Sequence, residues 1–174
     1  MDSFKLKYKY GNKKNLQNSI AKYPNESGPF TITSTTAYII IKINETLVKG
    51  SHLASPKLSS FATTSIWLWD FCILLSYETA RINDGKLHKV HPIDDPTMLT
   101  FIKENDMVTI TASAGYAPLQ TQVTYSEFIQ EVFSFIDSFV SDLISINPRI
   151  AENNQFKQIL EGRDKTRKML EAEK

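Results

Sequence analysis

Phe4, Leu6, Tyr8 and Tyr10 alternate with Lys5, Lys7 and Lys9. A period of two with lysine on one side predicts a half-buried strand at a sheet edge. "GNKKN" breaks the pattern, and the Pro, Asn and Gly of "YPNESGPF" end residues 11–30 in a loop. "FTITSTTAYIIIKINETLVKG" is rich in Thr, Ile, Tyr and Val and has few good helix formers, so it predicts β structure. Ile39, Ile41 and Ile43 share one face, Asn44-Glu45 is placed as a turn, and Thr46 to Val48 start the return strand. "SHLASPKLSSFATT" reads as a loop.

The run "TSIWLWDFCILLSY", residues 64–77, holds both tryptophans and the single cysteine. Thr63, Thr64 and Ser65 are candidate N-caps, and no Pro or Gly follows until Gly85. Apolar residues lie on most sides, which predicts a buried helix with Trp67 or Trp69, and Cys72, inside. "NDG" at 83–85 ends it with a residue able to take positive φ. "KLHKVHPID", "TMLTFI" and "MVTITAS" then predict short strands, turning at Asp94-Asp95-Pro96 and Glu104-Asn105-Asp106. Residues 114–123 are assigned as a connection. Thr124 and Glu127 have capping-box spacing, and Ile129, Val132, Phe133, Ile136, Phe139 or Val140, and Leu143 follow at helical spacing until Asn147-Pro148. The charged tail predicts a terminal helix of lower stability, with residues 165–174 adding little to the core.

The predicted fold is α+β: an antiparallel sheet of about five or six strands packed against two main helices, with a charged C-terminal helix. Residues 1–150 form a single domain and 151–174 a helical extension. A chain of 174 residues with 41% hydrophobic and 22% charged positions can build such a core without metals or disulfides. The longest apolar run is interrupted by Asp70 and is short for a membrane span. A lone apolar-flanked Cys72 and no secretory pattern at the N-terminus point to the cytoplasm.

Charge changes the picture through its distribution. The net charge is +1, which disfavours nucleic acid as a partner. The first 22 residues nevertheless carry Lys5, Lys7, Lys9, Lys13, Lys14 and Lys22 against Asp2. Between Glu104 and Pro148 there is no Lys or Arg, yet Glu104, Asp106, Glu127, Glu131, Asp137 and Asp142 occur there.

Candidate chemistry is sparse. His88 and His91 fall on opposite faces of a strand, and with His52 and one cysteine they meet no metal-ligand spacing. Cys72 in mid-helix is a packed thiol rather than a nucleophile. "ASAGYAP" has a lone glycine and is no phosphate loop. Glu127 and Glu131 project together, which suits acid–base work or, more simply, a solvated helix start. "KLKYKY" could contact phosphates, but a lysine-blunted edge is the simpler account. No cofactor or metal is expected, and no catalytic residues.

The order of elements, carried by "YIIIKINETLV", "SIWLWDFCILL" and "YSEFIQEVFSFIDSFVSDL", resembles that of cytosolic immunity proteins of bacterial polymorphic toxin systems. The resemblance implies a non-catalytic binding protein that neutralises a cognate toxin by direct contact. Glu104, Asp106, Glu127 and Glu131 are then candidate partner-binding residues, because the acidic stretch offers them no local cation. Tyr116 and Tyr125 join them as aromatic anchors. The alternatives are a ligand-binding or enzymatic domain with a pocket beside the tryptophan helix, or a structural or regulatory subunit.

Overall fold

A computed structural model describes residues 3–24, 35–49, 63, 66–92 and 95–173. The chain starts with strand β1 (Phe4–Tyr10) and helix α1 (Lys13–Ala21). Strands β2 (Thr36–Ile43), β3 (Thr46–Leu47) and β4 (Ile66–Trp67) precede helix α2 (Leu68–Thr79). A meander follows, of β5 (His88–Val90), β6 (Thr97–Glu104), β7 (Met107–Ala114) and β8 (Leu119–Thr124). Helices α3 (Tyr125–Ile146) and α4 (Asn154–Ala172) close the fold.

The α+β class holds, but the single sheet does not. There are two four-stranded antiparallel sheets. In the first, β2 pairs with β1 on one side and with the short β3 and β4 on the other. In the second the order is β5-β6-β7-β8. The chain leaves the first sheet through α2, so the meander pairs within itself. Asn44 joins the two: its Oδ1 accepts from the Ser3 amide at 2.8 Å and from Thr121 Oγ1 at 2.7 Å. The Asn44-Glu45 turn is as expected, with φ of 50° and 63°, the left-handed pair of a tight hairpin.

Helix α3 lies across both sheets. Phe128 stacks on Phe4 of β1 at 5.9 Å and lies tilted against Phe101 of β6 at 4.8 Å, and Phe135 meets Phe71 of α2 at 5.6 Å. The expected capping box is present: Thr124 Oγ1 accepts from the Glu127 amide, and Glu127 Oε2 accepts from the Thr124 amide.

Several local expectations need correction. The helix predicted from about residue 64 begins at Leu68, because Ile66–Trp67 stays extended and pairs with Thr36 and Ala37. Of the proposed caps, Thr64 and Ser65 lie outside the described residues, as do His52 and Asp94. Thr63 instead accepts from the Ile39 amide at 2.7 Å. Cys72 is fully buried, whereas Trp67 is 49% exposed and Trp69 is half-buried. Between β1 and the expected loop, where the sequence pattern marked no element, lies α1, started by Asn12 Oδ1 accepting from the Asn15 amide and anchored by buried Leu16 and Ile20. The supposed connection at 114–123 contains β8. The C-terminal helix is part of the core: Phe156, Ile159, Thr166 and Leu170 are buried, and Gly162 sits directly against Ser76 of α2.

Candidate functional site

β1 has a free side. It hydrogen-bonds with β2 along its whole length, and among the described residues no strand pairs with its other edge. The Asn44 amide donates to Ser3 O and the Gly11 amide to Thr36 O, so odd-numbered residues face β2. Antiparallel alternation then aims the main-chain groups of Phe4, Leu6, Tyr8 and Tyr10 away from the sheet.

Helix α3 runs beside that edge. Its Glu131 reaches Leu6, and its Asp142 reaches Tyr8 and Tyr10. Between them lies a groove of about 830 Å³, walled by residues 5–10 and Lys13 on one side and by Glu131, Ser134, Phe135, Ser138 and Asp142 on the other. The small Ser134 and Ser138 side chains are exposed and leave the space above the helix open. The groove follows α3, not the tryptophan-bearing α2.

The groove's polar groups are tightly organised. Glu131 Oε1 accepts from the Leu6 amide at 2.7 Å, and Oε2 pairs with Lys5 Nζ at 3.0 Å. A carboxylate thus takes the place of a neighbouring strand at one point on the edge. Asp142 Oδ2 accepts from both Tyr8 and Tyr10 hydroxyls at 2.9 Å, and Tyr8 also meets Ser138 Oγ at 3.2 Å. Burial, reinforced by the neighbouring carboxylate, pushes both phenols well above their ordinary range. They are fixed donors, packed edge-on to one another and, through Tyr8, to Phe135.

The sequence-derived candidates divide into three places. Glu104 and Asp106 flank the β6–β7 turn, whose Asp106 O accepts from the Tyr125 amide at 2.8 Å, so these three and Glu127 gather at the start of α3. Glu131 lies on the next turn of the helix, in the groove. Tyr116 follows β7 and is 62% exposed at the far end of that strand from Glu104 and Asp106.

Two of those candidates, Tyr125 and Glu131, are already engaged within the fold. Tyr125 is buried, with Lys103 Nζ 4.2 Å over its ring, so it offers no exposed anchor. The acids also have partners from outside their stretch: Lys5 for Glu131, Arg163 for Asp137 at 3.8 Å, and two tyrosines for Asp142. Glu127 is exposed, and its carboxylate is held below the usual range by Thr124's hydroxyl and amide.

Sequence reasoning also missed His88. It is 2% exposed. Its Nδ1 lies 2.9 Å from Glu78 Oε2, its Nε2 3.0 Å from Asp84 Oδ1, and its ring stacks on Phe101. A ring protonated on both nitrogens can donate to both acids. The cluster pins the end of α2 to β5. Among the described residues no group of three His, Cys, Asp or Glu is placed to hold a metal, and no helix is long and apolar enough to cross a membrane. Compared with known proteins, the chain matches no family model, no curated sequence and no solved structure.

Proposed function

We propose that this is a non-catalytic protein-binding module, acting as an immunity protein that neutralises a cognate bacterial toxin by direct contact. The observation that supports it is the open edge of β1 beside α3. An unpaired strand edge presents main-chain donors and acceptors that another polypeptide can complete. The groove there is long and open, a shape suited to a chain segment rather than to an enclosed small molecule.

The test is co-purification of the tagged chain with the product of the adjacent gene, followed by co-expression. The expected result is a stoichiometric complex and rescue of cells expressing that product. A neighbour that neither binds nor harms cells, with a small ligand retained on the purified chain instead, would replace this reading with the ligand-binding one.

A further inference from the structure

From the groove we infer the mode and chemistry of binding: β1 accepts an extended acidic segment of the partner as an additional strand. The inference deepens the protein-binding reading and rests on it.

Three features carry it. First, Glu131 satisfies the Leu6 amide, but beyond it the main-chain groups of Tyr8 and Tyr10 continue to face the groove. A partner strand of about four residues, at roughly 3.3 Å per residue, would cover this length. Second, the groove has a positive balance: Lys5, Lys7, Lys9 and Lys13 line it against Glu131 and Asp142, four cations against two acids. Both acids are engaged, Glu131 by Lys5 and the Leu6 amide and Asp142 by two phenols. Lys7 and Lys13 have no ion-pair partner among the described residues and are exposed. Third, the same lysines work against self-pairing. Two β1 edges brought together would place Lys5, Lys7 and Lys9 against their own copies, and like charges on facing strands are destabilising. The edge is guarded against a second copy and suited to an acidic strand.

Side-chain alternation refines the occupant. Residues of the added strand on the lysine face should be Glu or Asp at every second position. Those between them turn toward Tyr8, Phe135 and the serines of α3, where small or apolar side chains fit.

The probe is a fluorescein-labelled peptide of alternating Glu and Val, with an analogue in which Lys replaces every Glu and oligo(dT) as controls. Binding is followed by anisotropy and by amide shifts of the isotope-labelled protein. The expected result is binding of the Glu peptide alone, with the Tyr8 amide moving strongly and the Lys7 amide, already turned to β2, moving little. N-methylation along the peptide should weaken binding about tenfold at alternate positions, the loss of one main-chain hydrogen bond. Reversing the two lysines without an ion-pair partner among the described residues, Lys7→Glu with Lys13→Glu, should weaken it by a further factor of about ten at low salt while the thermal midpoint holds.

Absence of Glu-peptide binding, equal competition by oligo(dT), or N-methyl losses without a period of two would each overturn strand addition. Those results would leave the protein-binding reading standing if the neighbouring product still co-purifies. That reading fails separately if the neighbour does not bind.

Discussion

Gly162 is the point where α4 touches α2, and Gly162→Ala tests that contact directly. A Cβ at Gly162 would lie 2.5 Å from Ser76 Oγ and 2.6 Å from Ser76 Cβ. Comfortable carbon contacts need about 3.5–4.0 Å, so the deficit is about 1 Å. The hydroxyl cannot simply turn away, because it donates to Cys72 O at 2.7 Å. Ser76 Cβ moves only if α2 moves. Overpacking of this kind costs about 1–3 kcal/mol, while replacing Gly by Ala inside a helix returns about 1 kcal/mol. With the obstruction at a Cβ rather than at a flexible tip, a net loss of about 1–2 kcal/mol is expected. Urea denaturation followed by circular dichroism measures it. Ser76→Gly removes both obstructing atoms, so the double variant should regain most of the loss, a coupling of about 1–2 kcal/mol in a double-mutant cycle. If Gly162→Ala instead stabilises the protein by the helix-propensity increment and shows no coupling to Ser76, the two helices do not meet as described.

Other perturbations address the groove and the core. Asp142→Ala strips the acceptor from two half-buried phenols and should cost about 2–3 kcal/mol in denaturant titrations; adding Tyr8→Phe and Tyr10→Phe should recover part of it. Both phenols hold their protons more tightly folded than unfolded, so their stabilisation is complete below pH about 10 and falls as pH rises above it. Absorbance titration should accordingly show two of the seven tyrosines ionising only as the fold is lost. Deleting residues 165–174 removes buried Thr166 and Leu170 and the Arg167 guanidinium over Phe133, and should lower stability by at least about 2 kcal/mol; an unchanged midpoint would mean the last turns do not pack. Cys72, fully buried and with its thiol pushed well up by burial, should react with a thiol reagent only at the rate of global opening.

Local signals survived translation into structure wherever one short segment contained its own reason. The Thr124–Glu127 box, the Asn44-Glu45 turn and Gly85, with φ of 72°, each depend on a few adjacent residues. The alternation in β6 and β7 is equally self-contained. Helix α1 was hidden because only Leu16 and Ile20 mark its buried face, too few to show a period among lysines and asparagines. Strand β8 was hidden because Thr121 occupies the inward position between Leu119 and Val123, and a buried threonine reads as polar. The start of α2 was misplaced because Trp67 and Ile66 suit a helix as well as a strand. Pairing with β2, a tertiary choice, decided it. The end of the tail looked marginal because its charges were counted, whereas beyond Ile159 its buried side is set by Gly162, Thr166 and Leu170, of which only leucine is strongly apolar.

The site was less legible, for a reason of distance along the chain. The contrast between a basic start and an acidic centre suggested acids awaiting a foreign cation. Lys5 and Glu131 are 126 positions apart, and Tyr8 and Asp142 are 134 apart, so no local reading could pair them. Geometry makes the pairing systematic. Glu131 and Asp142, eleven positions apart, span about 16 Å of helix at 1.5 Å per residue. Leu6 to Tyr10 spans about 13 Å of strand. Helix and strand therefore stay in step, and each acid meets a group of β1 in turn. Part of the asymmetry is taken up within the fold, at Glu131, Asp137 and Asp142. Among the described residues lining the groove, Lys7 and Lys13 have no ion-pair partner, a charge opposite to that of the acidic stretch. A partner drawn by electrostatics to this groove should carry negative charge, and charge reversal at Lys7 and Lys13 should change its association rate and salt dependence more than reversal at Glu127, which serves the helix cap.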